Sequence, residues 1–146
     1  MNFNNLNQLY RSVIMDHYKN PRNKGVLEEG TMTVDMNNPT CGDAIRLTLD
    51  VQDGIVHDAK FDGEGCSISL SSASMMTEAI KGKSLEDALG MSEEFSKMML
   101  GEDYNIPEEY GDIEALSGVS QFPARIKCAT LTWKALEKGV KADSKQ

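Results

Sequence analysis

Long apolar runs are missing from this 146-residue chain, and so is any segment able to span a bilayer. Positive charge is in deficit. Fifteen Lys and Arg stand against 23 Asp and Glu, a formal net charge of −8. That deficit excludes phosphate-backbone binding as the main task, because such binding runs on Lys and Arg. It also disfavours adhesion to an anionic membrane surface, so neither nucleic acid nor membrane is an expected partner. The first residues, Met1-Asn2-Phe3-Asn4-Asn5, lack the basic and apolar regions of a secretory signal, and the expected location is cytoplasmic. Cysteine is scarce: three residues, an odd count, with no C-x-x-C pair. A secreted disulfide framework is thereby disfavoured. What remains, 40% hydrophobic and 26% charged, is the composition of a soluble globular protein with one core, expected as a single domain over residues 1–146.

The order of elements follows from period and punctuation. Leu6, Leu9, Tyr10, Val13, Ile14 and His17 form a one-sided helical stripe, which Asn20-Pro21 ends. Residues 21–30 read as a polar loop. Three strands of period two follow. Met32, Val34 and Met36 face inward in the first, and Ile45, Leu47, Leu49 and Val51 in the second. In the third, Ile55, Ala59 and Phe61 are expected to share the inner face, opposite Val56, Asp58 and Lys60. Asn37-Asn38-Pro39 turns the chain between the first two strands, and Asp53-Gly54 between the last two. Helical patterns then cover Ser67 to Ile80, a short helix capped by Ser84, and a separate one opened by Ser92 and closed by Gly101. A loop over 101–111 leads to a turn or two at Ile113–Leu116. The last helix starts near Pro123, with Phe122, Ile126, Ala129, Trp133, Leu136 and Val140 as its stripe and a frayed tail from Ala142. The fold class is α+β: a three-stranded antiparallel sheet covered by helices on one face, its strand order open.

Each cysteine falls at a junction. Cys41 lies in Thr40-Cys41-Gly42-Asp43 before a strand, Cys66 follows Gly63-Glu64-Gly65 before a helix, and Cys128 lies near the start of the last helix. For each, three readings stand open: packed apolar filler, metal ligand, reactive thiol. Cys41 and Asp43 are two apart, so in extended chain both leave on the side that carries Ile45 and Leu47. A carboxylate at the head of an apolar face needs a partner, and a metal would supply one, although a lone Asp also serves as a turn or cap residue. Three thiolates and one carboxylate form a sound tetrahedral zinc set. His17 reads as a packed residue of the first helix. His57 is placed on the strand face of Ile55 and Ala59. Arg125 and Lys127 flank the third cysteine, either to offset negative charge or as a solvated helix end.

Four segments together carry a resemblance: Met15-Asp16-His17-Tyr18-Lys19-Asn20-Pro21-Arg22-Asn23, Asn38-Pro39-Thr40-Cys41-Gly42-Asp43, Gly63-Glu64-Gly65-Cys66-Ser67-Ile68-Ser69 and Arg125-Ile126-Lys127-Cys128-Ala129. In this order they resemble the IscU/NifU-type iron–sulfur assembly proteins, and more narrowly the SufU branch of Gram-positive bacteria. The scaffold branch has a histidine directly before the third cysteine, where this chain has Lys127. It has a shorter stretch where this chain carries residues 101–121, and a chaperone-docking run where this chain has Phe122 to Lys127. The resemblance implies a zinc-dependent sulfurtransferase, accepting persulfide sulfur from a SufS-type cysteine desulfurase and passing it toward a SufBCD-type assembly complex. It implies Cys41, Asp43, Cys66 and Cys128 as zinc ligands and Cys41 as the persulfide acceptor. Because a closed four-ligand zinc site is structural, Cys41 is expected to leave the cluster for transfer. The alternative is a scaffold on which a labile [2Fe–2S] cluster is assembled and handed on.

Overall fold

The computed structural model describes residues 3–38 and 42–144. Helix α1 (Phe3–Lys19) leads to strands β1 (Met32–Asn38), β2 (Asp43–Gln52) and β3 (Ile55–Glu64). Helices α2 (Ser67–Ile80), α3 (Leu85–Met99), α4 (Gly111–Glu114) and α5 (Pro123–Ser144) follow, with 3₁₀ turns over Glu108–Tyr110 and Ala115–Gln121. Among the described residues no helix is long and apolar enough to cross a membrane.

The sheet is an antiparallel meander in the order β1-β2-β3, which resolves the open strand order. Asp53 and Gly54 both have positive φ, 54° and 76°, the backbone of a two-residue hairpin whose twist matches the strands. β1 and β2 pair from Met32 opposite Leu49 to Asn38 opposite Asp43. The expected turn between them falls partly on residues 39–41, outside the described residues. Helices lie on one face, as expected. α5 packs on β1 and β2, α2 packs on β3 and α5, and α1 and α3 pack against that helical layer from outside. On the opposite face, the loop over 21–30 does more than connect. Leu27 donates its amide to Thr48 Oγ1 at 3.1 Å, and Lys24 bridges to Phe61 at the sheet edge.

Four expectations are corrected. In β3 a register irregularity leaves Asp50 opposite Asp58 but Val51 opposite Val56, so His57 is the extra residue of a bulge. Val56 therefore turns into the core with Ala59 and Phe61, while Ile55 is half-buried and His57 exposed. Residues 85–99 form one helix rather than two. Ser84 caps it by accepting from the Asp87 amide at 3.0 Å, and Ser92 is a buried interior residue whose hydroxyl donates to Glu137 Oε1 at 2.8 Å. Phe122 is exposed, because it precedes the α5 start at φ −123° and ψ 86° and so misses the helical stripe. The tail holds helix to Ser144 instead of fraying from Ala142.

α2 is the centre of the molecule. Nearly every residue from Ser69 to Ile80 is buried, small serines and alanines allowing close approach by α1, α5 and the sheet. The core around it includes Leu47, Leu49, Phe95, Met76, Trp133 and Leu136, with the Phe95 and Trp133 rings stacked at 4.8 Å between centroids.

Candidate metal centre

Three elements deliver one donor each to a single point. Asp43 is the first residue of β2, its side chain on the same face as Ile45 and Leu47, as the two-residue period requires. Cys66 is the N-cap of α2, in extended backbone at φ −74° and ψ 169°. Cys128 lies in the second turn of α5. One carboxylate oxygen of Asp43 and the two sulfurs all lie within 4.8 Å of one another. Asp43 and Cys128 are buried and Cys66 is half-buried.

Local bonding aims these groups. The Cys66 amide donates to Asp43 Oδ1 at 2.9 Å, which ties the head of β2 to the cap of α2. Asp43 Oδ2, equally buried, has no hydrogen-bond partner among the described residues. A buried carboxylate oxygen without a donor is costly, and this carboxylate stands beside two thiols. That arrangement fits a soft divalent cation: two sulfurs and one oxygen, with a charge that needs compensation. Arg125, one turn before Cys128, faces the same cluster. Negative charge on Cys66, then hydrogen bonding to Cys128, push its pKa above the ordinary guanidinium value.

The sequence-derived site residues thus separate. Asp43, Cys66 and Cys128 come together. Cys41 lies outside the described residues, with Gly42 donating its amide to Asn38 O at 2.9 Å across the hairpin ends. Lys127 and Arg125 are both exposed, and Arg125 interacts with the two thiols. His17 is the packed residue expected. It is 3% exposed, with Nδ1 2.8 Å from Ser74 Oγ and Nε2 2.8 Å from Asp112 Oδ2. Ser69, in the Gly-Glu-Gly-Cys-Ser-Ile-Ser segment, has no role assigned from sequence, whereas Gly65 beside Cys66 is the kind of residue that permits close backbone approach. The signal for Ser69 is spacing: a serine three residues after an N-cap reaches back over the first turn.

Residues 9–129 match the family model described as the NifU-like N terminal domain. The chain is 70% identical over 141 residues to a protein of Bacillus subtilis (strain 168) named zinc-dependent sulfurtransferase SufU, covering 96% of this chain and 95% of that one. It is 46% identical over 141 residues to a Streptococcus pyogenes serotype M1 protein named iron–sulfur cluster assembly scaffold protein IscU, covering 97% of this chain and 88% of the other. A crystal structure from Fervidobacterium islandicum AW-1, described as an iron–sulfur cluster assembly scaffold for the SUF system, superposes with a TM-score of 0.82 at 35% identity, covering 88% of this chain and 93% of that one.

Proposed function

This chain belongs to the NifU-like N-terminal domain family, and from that premise we propose that it is a zinc-dependent sulfurtransferase of iron–sulfur cluster assembly. In this reading it is a single cytoplasmic domain, taking persulfide sulfur from a SufS-type cysteine desulfurase and delivering it toward a SufBCD-type assembly complex. The observation that carries the reading is the convergence of Asp43, Cys66 and Cys128, with Asp43 Oδ2 buried and without a hydrogen-bond partner among the described residues. These three would hold the zinc, with Cys41, two residues before Asp43, as the fourth ligand. Bound there, zinc would keep cysteine sulfur in the thiolate form at neutral pH without redox chemistry of its own.

The chain's residues then divide the work. Cys41, released from the cluster, attacks the outer sulfur of the desulfurase persulfide as a thiolate. The persulfide S–S bond breaks, the desulfurase cysteine leaves as a thiolate, and Cys41 carries the terminal sulfur. Asp43, fixed by the Cys66 amide, and the buried Cys128 would hold the zinc from β2 and α5. Arg125 offsets the negative charge gathered at the thiols. The test is mass spectrometry of protein incubated with its desulfurase and cysteine. One added sulfur on the Cys41 peptide is expected, absent in Cys41→Ala. If Cys41→Ala gains persulfide at the wild-type rate, the assignment of acceptor fails.

A second reading, a [2Fe–2S] scaffold, is favoured by the name of the Streptococcus pyogenes relative and by the preference of cluster irons for thiolates. Lys127, where scaffolds have histidine, counts against it. Anaerobic purification separates the two. Stoichiometric zinc without visible absorbance supports sulfur transfer; brown protein with acid-labile sulfide supports the scaffold.

A further inference from the structure

Ser69 is 1% exposed and lies at the third position of α2, directly over the Cys66 cap. Its Oγ is 3.4 Å from Cys66 O and 3.8 Å from Cys66 Sγ. The carbonyl is a poor partner. An O–H···O bond runs to about 3.0 Å, and that same carbonyl already accepts the Leu70 amide at 3.1 Å. The sulfur contact is within ordinary reach for a bond to the larger atom. A hydroxyl both donates and accepts: the protonated thiol gives its hydrogen to Ser69, and a thiolate takes one from it.

Gly65 makes the arrangement sterically possible. A Cβ at this position would lie 2.5 Å from Ser69 Oγ and 2.6 Å from Asp43 Oδ1. Both polar atoms therefore press against one bare Cα, leaving no room for a methyl group.

We propose that Ser69 is a positioning residue whose hydroxyl donates to the Cys66 sulfur once that sulfur is a thiolate, and that Gly65 is the space that lets Ser69 and Asp43 close around it. The proposal deepens the zinc reading above and rests on it for the thiolate state. Ser69 and Gly65 thus restrain the Cys66–Asp43 pair. A hydroxyl on the sulfur lowers its donor energy and fixes its direction, which is how outer partners tune a metal site.

The experiment compares wild type, Ser69→Ala, Ser69→Thr and Gly65→Ala by cobalt(II) substitution and by zinc competition against a chelator, with circular dichroism as the folding control. Ser69→Ala is expected to shift the sulfur-to-cobalt charge-transfer band to longer wavelength and to weaken zinc binding by about tenfold, the low end for losing an outer-shell partner. Ser69→Thr keeps the hydroxyl and is expected to return the band toward wild type, even where its added methyl lowers the melting temperature. Gly65→Ala is expected to weaken zinc at least as much as Ser69→Ala. Folded Ser69→Ala with an unchanged band and unchanged zinc affinity would overturn the proposal, as would a Thr variant displaced as far as the Ala variant. These readouts do not depend on sulfur transfer. If the wild type accepts no persulfide, the functional reading falls while the cobalt band still decides the role of Ser69.

Discussion

The middle of α2 and its N-terminal end both bury polar atoms, yet they treat them in opposite ways. In the middle, each hydroxyl is answered by protein. Ser72 donates to Ala129 O at 2.7 Å and accepts from Trp133 Nε1 at 3.1 Å, while Ser74 meets His17 Nδ1 and the Arg22 amide. Thr77 folds back onto the Ala73 and Ser74 carbonyls at 3.0 Å each. At the end, the Asp43 carboxylate lies beside two thiols, and its Oδ2 is buried with no donor among the described residues. Buried polarity that is fully paired locks helices together; buried polarity left open at a convergence of donors marks a place for something from outside.

Four changes would break or sharpen that contrast. Trp133→Ala should have the largest effect, costing about 3–5 kcal/mol by emptying the space against Phe95 and removing a donor from Ser72. Urea unfolding measures it, and the folded fraction should still bind zinc, since Trp133 touches the paired region and not the open one. Next, zinc at a hundredfold excess over its Kd should stabilise the wild type by about 2.7 kcal/mol, read as a rise in melting temperature that a chelator reverses. Asp43→Asn should forfeit most of that rise while melting no lower than wild type in the metal-free state, because it keeps an acceptor for the Cys66 amide and removes a buried charge. A metal-free Asp43→Asn far less stable than wild type would erase the distinction between the two ends. Third, Ser72→Ala should cost about 1–3 kcal/mol with no change in zinc affinity, the mirror image of Asp43→Asn.

The smallest effect belongs to the surface. Glu94 accepts from Lys97 Nζ and from the Asn105 amide, each at 2.8 Å, and the Lys97 bond followed by the Asn105 bond holds its carboxyl below the usual range. A depressed carboxylate pKa contributes stability above its unfolded value, about 4.3, and loses it as pH falls through the folded value. Glu94→Gln should therefore flatten the acid limb by lowering stability slightly at neutral pH while leaving the most acid end of the curve unchanged.

The strands were readable because one face of the sheet is wet, so Met32 to Met36 and Ile45 to Leu49 alternate as geometry demands. The β3 phase was not, because the bulge at His57 inserts a residue that no local pattern marks. Ser92-Glu93-Glu94 imitates a helix start in composition. Only the distant Glu137 shows that Ser92 is an interior residue with a tertiary partner. Of the metal centre, the cysteines and Asp43 stood out by lying at element junctions. Ser69 did not, and Arg125 could not be told apart from Lys127, because what these side chains face depends on how α2 and α5 come to rest beside β2. The segment over 101–121 read as a loop with a turn or two, yet Asp112 anchors it to His17 of α1 and Glu94 anchors it at Asn105.

The donors at residues 43, 66 and 128 reach one another only through the docking of three separate elements. During synthesis the ribosome releases the β2 and α2 donors long before the one on α5. A nascent chain can present at most a partial chelate, and full affinity arrives only when the last helix seats. Zinc held by these three donors would therefore bind at full strength only to a chain whose β2, α2 and α5 have all docked.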